Sequence, residues 1–256
     1  MHRLTSFLIG LFALVAFSSP ARAGEVDDLV HRADHVLRGK TTAALMKMRV
    51  HTKSFDRSYS MVYWADDHGS KNRALVKILG PARWRGHGTL KVGGRLSLYD
   101  PSADRVTVLS SSMLGDSWMG SHFTNDDLVK ETDLEKDYRS TLEKTWTKGS
   151  ARYYRVLLRP TPKAPVSWDR IVLTLYQDGD DVIPTRQEYF KKAKQTKPSR
   201  VMTFSDVKEM GGRRVPTKLL MRVTAKPGEY TELRYEKVKF DSKVPGEKFT
   251  EQALRK

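Results

Sequence analysis

The sequence predicts a mainly β, single-domain protein: one strongly curved antiparallel sheet of about 11 strands, covered by an N-terminal helix and a central, partly helical insertion. Three observations predict it. Apolar residues recur at period two over most of the chain. One stretch near the start has a helical period instead. One stretch near the middle, residues 110–150, breaks the alternation.

The first residues read as an export signal. Arg3 supplies a positive start, Phe7–Phe17 is an apolar run of eleven, and Ala21-Arg22-Ala23 has the small-x-small form of a cleavage site. The expected signal is residues 1–23, with cleavage after Ala23 and a mature chain of 233 residues beginning at Gly24. The apolar run is short for a bilayer span. No cysteine follows the cleavage point, or occurs anywhere, so neither lipid modification there nor disulfides are expected. An exported chain of this length without disulfides must rely on a sizeable core, and a periplasmic location is expected. Losing Arg3 and Arg22 lowers the formal charge from +16 to +14. Behind an export signal such a charge points to anionic membrane surfaces, lipid headgroups or acidic protein faces rather than to nucleic acid.

Residues 25–38 form an amphipathic helix in which Val26, Leu29, Val30, Ala33, Val36 and Leu37 share a stripe, with acids early, Arg38 late and Gly39 as its stop. Alternating strands follow at 44–52, 59–65, 73–79, 89–92, 95–99 and 105–109, with Gly93-Gly94 marking a hairpin. The apolar side of 59–65 is ambiguous, since Met61-Tyr63 and Val62-Trp64 both qualify. Within the insertion, "TNDDLVKETDLEKDYRSTLEK" is expected to be helical in part, with Thr124 and Asp127 as a capping pair. Strands resume after Trp146, at 152–160, 170–176, 185–192, 200–207, 217–223 and 231–240. Pro160, Pro162, Pro165, Pro184, Pro198, Pro216 and Pro227 are placed in the connections. The tail adds one short turn of helix. A sheet this large beneath so little cover leaves room for an apolar pocket.

Catalytic patterns are lacking. His31 and His35 are four apart on the helix without a third ligand nearby in sequence, and His51, His68, His87 and His122 stand singly. There is no nucleophile elbow. Asp126-Asp127 suits a helix start better than paired acid chemistry. No residue set argues for an enzyme, and no metal or cofactor is expected. Met46, Met48, Met61, Met113, Met119, Met202 and Met221 recur on strands and in the insertion, as flexible side chains lining a cavity for acyl chains would.

Three segments carry a resemblance: "RGKTTAALMKMRV" (38–50), "ILGPARWRGHGTLKVGGRLSLYDPSADRV" (78–106) and "SSSMLGDSWMGSHFTNDDLV" (110–129). They resemble the outer-membrane lipoprotein-sorting protein family, periplasmic carriers with a LolA/LolB-like fold, and most of all the branch sometimes encoded beside large lipid exporters. Where that branch often carries an aromatic residue, this chain has Leu98, before Tyr99 and Pro101. The resemblance implies a half-open barrel with a helical lid and an apolar interior that shields lipid chains. Its partners would be lipid or lipoprotein acyl chains, an anionic membrane surface and an inner-membrane exporter; a monomer is expected. On this reading Met46, Met48, Val50, Val76, Ile78, Leu90, Val92, Leu96 and Leu98 face the lipid, and Trp118, Met119 and Phe123 belong to the lid. The competing reading is a non-transporting adaptor subunit of an envelope lipid exporter, with a filled core.

Overall fold

A computed structural model of the chain describes residues 23–68, 72–129, 134–162, 164 and 166–256. The expected export signal lies outside the described residues but for Ala23, where helix α1 (Ala23–His35) begins. Pro165 also lies outside them.

One antiparallel sheet of 13 strands organises the molecule. Strands β1 (Thr41–His51), β2 (Asp56–Asp66), β3 (Arg73–Gly80), β4 (Gly88–Val92), β5 (Arg95–Asp100) and β6 (Arg105–Val108) form a meander. Helices α2 (Asn125–Val129) and α3 (Leu134–Asp137) follow in the connection. The second meander runs through β7 (Tyr138–Lys148), β8 (Ala151–Pro160), β9 (Arg170–Asp178), β10 (Asp181–Phe190), β11 (Arg200–Met210), β12 (Arg213–Val223) and β13 (Tyr230–Phe240). Helix α4 (Glu251–Arg255) ends the chain. The spatial order is β6-β5-β4-β3-β2-β1-β13-β12-β11-β10-β9-β8-β7. β13 therefore returns to pair with β1, and β6 and β7, consecutive in the chain, lie at opposite edges. The connection between them must cross the sheet. That connection is the lid, and Trp118 and Leu128 pack it against the face of the first meander.

The sheet has 13 strands rather than about 11, and the insertion expected over 110–150 ends its helical part at Asp137, after which Tyr138–Lys148 is a strand. Tyr138–Lys148 pairs with β8, and Tyr138 and Leu142 pack with α1 on one face. Its many charged residues hide a strand that is solvated on one side and free at its edge, where charges discourage pairing with other chains. Three prolines also depart from expectation. Pro160 ends β8, Pro184 lies in β10 beside a register shift, and Pro216 lies in β12. β10 pairs with β11 only over Arg186–Tyr189, and β12 with β13 only over Lys218–Met221. Pro184 and Pro216 thus stand where the ladder is one-sided and a missing N–H is tolerated.

α1 ends before Val36. Gly39 lies beyond it at a close approach, where a Cβ would sit 2.6 Å from the Thr41 carbonyl oxygen and 2.7 Å from Asp241 Oδ1. The ambiguous strand β2 is resolved by register. Ala44, Tyr63, Val76, Thr89 and Leu98 form one cross-strand row, and Ala43, Trp64, Leu75, Leu90 and Ser97 the next. Neighbours in a row share a face.

Three clusters fill the structure. α1 packs Val26, Leu29, Val30 and Ala33 onto Val156, Leu158, Ile171, Leu173 and Leu175 of the second meander. Met46, Met48, Val50, Tyr59, Met61, Val76 and Ile78 of the first meander pack with Trp118 of the lid. On the opposite face, Leu75, Leu90 and Tyr99 are covered by Phe249 and Leu254 of the C-terminal segment, with Trp64 and Val92 at the rim.

Candidate functional site: a lidded cavity

Between the first two clusters lies a cavity of about 390 Å³, within the range of small-molecule sites. Its apolar wall includes Met46, Met61, Val76, Leu96, Leu173, Leu219 and Met221, with Trp118, Phe123 and Leu128 from the lid. Its polar side chains include Asp34 in the last turn of α1, Arg38 just past it, and Thr42, Asp67 and Lys91 at one end of the strands, with Thr89, Gln187 and Asp127 elsewhere on the wall. Asp34 and Arg38 pair at 3.9 Å. Burial raises the Tyr235 hydroxyl to about 12, so this wall residue stays neutral.

The lid first holds its own shape. Thr124 and Asp127 make the capping box read from sequence: Thr124 N–H donates to Asp127 Oδ2 at 2.7 Å, and Asp127 N–H to Thr124 Oγ1 at 3.3 Å. Trp118 N–H donates to the Phe123 carbonyl at 2.9 Å, and Asn125 Nδ2 to the Met113 carbonyl at 3.0 Å. Met119 and Gly120 turn the chain through positive φ, 54° and 71°; glycine does this without steric cost.

The lid is also fastened to both meanders. Trp118 Nε1 donates to Thr89 Oγ1 at 3.0 Å on β4. On the other side Arg200 of β11 grips Asp127 with two hydrogen bonds of 2.7 Å, and its guanidinium lies 4.5 Å over the Trp168 ring. His122 N–H donates to Thr231 Oγ1 at 2.9 Å, and His122 Nδ1 lies 2.9 Å from the same hydroxyl. The other ring nitrogen, Nε2, faces Glu229 Oε2 at 3.5 Å. Burial holds the His122 imidazole below its ordinary pKa, against the pull of Glu229.

The residues expected to face lipid divide into three groups. Met46, Val76 and Leu96 are on the cavity wall. Met48, Val50 and Ile78 have the right face but are packed in the core where Trp118 closes it; Met48 is 0 % exposed. Leu98 shares the inner row with Thr89 yet stands off the wall. Leu90 and Val92 are corrections: both belong to the opposite face, under Phe249 and Leu254. Thr89 and Lys91 take the inner positions instead. Of the lid residues, Trp118 and Phe123 reach the cavity, and Met119 packs beside Tyr59. Sequence reading missed Lys91, Arg38, Asp67 and the Arg200–Asp127 pair. The signal for Lys91 was present, since a two-residue turn at Gly93-Gly94 sets Lys91 opposite Leu96 and Leu90 opposite Ser97.

Comparison with known proteins agrees with this architecture. A sequence model of a family described as uncharacterized protein matches residues 70–256. The chain belongs to that family. No curated protein matches the sequence. Among solved structures, a domain described as an outer membrane lipoprotein-sorting protein from Vibrio parahaemolyticus has a TM-score of 0.74 at 18 % identity, covering 92 % of this chain and 100 % of its own. A DUF1329 family protein from Desulfovibrio piger has a TM-score of 0.77 at 18 % identity, covering 91 % and 98 %. A LolA superfamily protein from Nitrosomonas europaea has a TM-score of 0.69 at 20 % identity, covering 89 % and 98 %. The fold is LolA-like: an open antiparallel sheet with helices packed on it. Among the described residues no group of three or more His, Asp or Glu side chains is placed to hold a metal, and no helix is long and apolar enough to cross a membrane.

Proposed function

We propose that the protein is a periplasmic carrier. It takes the acyl chains of a lipid or lipoprotein into the cavity and moves them toward the outer membrane. The observation that carries this reading is the lidded cavity itself, apolar along Met46, Met61, Val76, Leu96 and Met221 and polar at the end near Arg38, Asp67 and Lys91. An amphiphile has the same division, with chains that gain about 0.8 kcal/mol per buried CH₂ and a headgroup that must keep polar partners. The solved structures described as lipoprotein-sorting and LolA superfamily proteins support the same class of cargo. Trp118 and Phe123 occupy the cavity wall, so a chain entering beside them displaces lid contacts. That displacement offsets part of the binding energy, as release at a destination requires.

The test is mass spectrometry of organic extracts from protein purified gently from its native compartment. A stoichiometric lipid supports the carrier and identifies the cargo. A protein that stays empty after incubation with envelope lipids overturns it in favour of an adaptor subunit of a lipid exporter. That second reading has one observation behind it: the lid is bonded on both sides, as a fixed plug would be.

A further inference from the structure

We propose that the end of the sheet carrying the β10–β11 connection is the face through which the protein settles on an anionic lipid surface. This goes beyond the carrier reading and does not depend on the cavity. The connection contains Lys191, Lys192, Lys194 and Lys197, all exposed, and no acidic residue occurs from Tyr189 to Ser205. Exposed Arg222 near the end of β12 and exposed Lys226 in the neighbouring β12–β13 connection add to it. The two connections are joined, because Thr224 N–H donates to the Ser199 carbonyl at 3.0 Å. Within the two connections the one acid is Glu229, turned toward His122 and the Lys53 N–H; beside them lies exposed Asp169, whose N–H donates to the Phe190 carbonyl at 3.0 Å.

Elsewhere the sheet pairs many of its cations across strands. Arg49 meets Asp56 at 2.6 Å, Lys218 meets Glu232 at 2.8 Å, and Arg234 meets Asp206 at 2.8 Å. The four lysines of the β10–β11 connection make no ion pair among the described residues. Their backbone is nonetheless held in one shape. Arg170 Nη1 donates to the Ala193 carbonyl at 2.9 Å and Nη2 to the Gln195 carbonyl. Gln195 accepts from Lys191 N–H at 3.1 Å and donates to Ser199 Oγ at 3.0 Å. Like charges are therefore kept together on a fixed loop, although mutual repulsion would spread them.

The chemistry favours a lipid surface over an acidic protein. Lysine ammonium groups are compact, hydrated point charges that suit a diffuse layer of phosphates, whereas a specific carboxylate site uses the arginine fork. Protein hot spots need a buried aromatic or apolar anchor. The large apolar residues exposed among the described residues, Leu79, Val108 and Met113, lie outside the two connections. Arg200, three residues past Lys197, holds the lid through Asp127. The surface-facing end is thus also the end where Arg200 and Thr231 fasten the lid to the second meander.

Vesicle flotation of the full mature chain tests this, with phosphatidylcholine vesicles with and without phosphatidylglycerol. Binding should need phosphatidylglycerol and weaken as salt is added. Each lysine near such a surface contributes about fivefold, so the variant Lys191→Gln, Lys192→Gln, Lys194→Gln, Lys197→Gln should lose about 10²–10³-fold in partitioning. A control removes the same charge elsewhere, as Lys208→Gln, Lys237→Gln, Lys239→Gln, Lys243→Gln, and should lose far less. Equal losses would show that net charge and not this face is responsible, and would overturn the assignment. Equal binding to both vesicles, or wild-type binding by the first variant, would overturn it too. Met46→Asp, which impairs the cavity, should still float with anionic vesicles, so the two readings fail separately.

Discussion

Met46 and Met48 are two residues apart on one strand and on one face, yet they should respond differently to a charge. Met46 borders the cavity, where a carboxylate still meets the solvent-accessible space. Met46→Asp should fold and lose binding of a fluorescent fatty acid by about tenfold or more, the cost of placing a charge along an acyl chain. Met48 touches only core. Met48→Ala should cost about 2–5 kcal/mol in denaturant unfolding, and Met48→Asp should not yield a stable fold. His122 gives a pH dependence with a definite sign. Its folded pKa is below the ordinary value, so the unfolded or unlatched state binds more protons. The neutral ring's contribution is complete above about pH 6.5 and is lost as pH falls below it. Unfolding followed across acid pH should show stability declining from pH 7 to 5, and His122→Gln should flatten that slope.

The lid is the element whose behaviour depends most on single contacts. It is short in regular helix and relies on side-chain bonds at its two ends. Arg200 is buried, and removing its partner leaves a charge without compensation. Asp127→Asn should destabilise the lid by about 3 kcal/mol and speed hydrogen exchange over residues 116–127, with exchange in β8 and β9 unchanged. If β8 and β9 exchange faster as well, the lid is an inseparable part of the core. The strands beneath were largely legible, because alternation is a direct consequence of one buried face. Two elements were not. β7 hid behind its charges, since an edge strand solvated on one side has few apolar positions to reveal it. β4 was placed with the wrong face inward, although the hairpin turn contradicted placing both Leu90 and Leu96 inside. A one-residue change of register reverses every side chain, and only pairing counts from a turn of known length settle it.

At the scale of the whole molecule, both faces of the first meander are covered, by different parts of the chain. The lid covers the inner face, and the C-terminal segment covers the outer one with Phe249 and Leu254. Gly88 makes room for it, since a Cβ there would lie 2.6 Å from Leu254 Cδ1. Buried Lys77 closes the contact by donating to the Leu254 carbonyl at 2.6 Å and the Gly86 carbonyl at 3.0 Å. Leu254→Ala should therefore cost about 2–4 kcal/mol in thermal or denaturant unfolding without altering fatty-acid binding.

The sequence by itself determined the local periods: an amphipathic helix, alternating strands, a capped interruption and a surplus of positive charge. Each follows from residues a few positions apart, whose spacing is set by backbone geometry. The tertiary structure decided what lies between distant segments. β13 pairing with β1 placed β6 and β7 at opposite edges and sent the lid across the sheet. The tail covered Leu90 and so left Lys91 to the cavity. Arg200 met Asp127 across 73 residues of chain. Such contacts depend on which apolar surfaces find each other in space, and the period of a strand carries no record of what will pack against it.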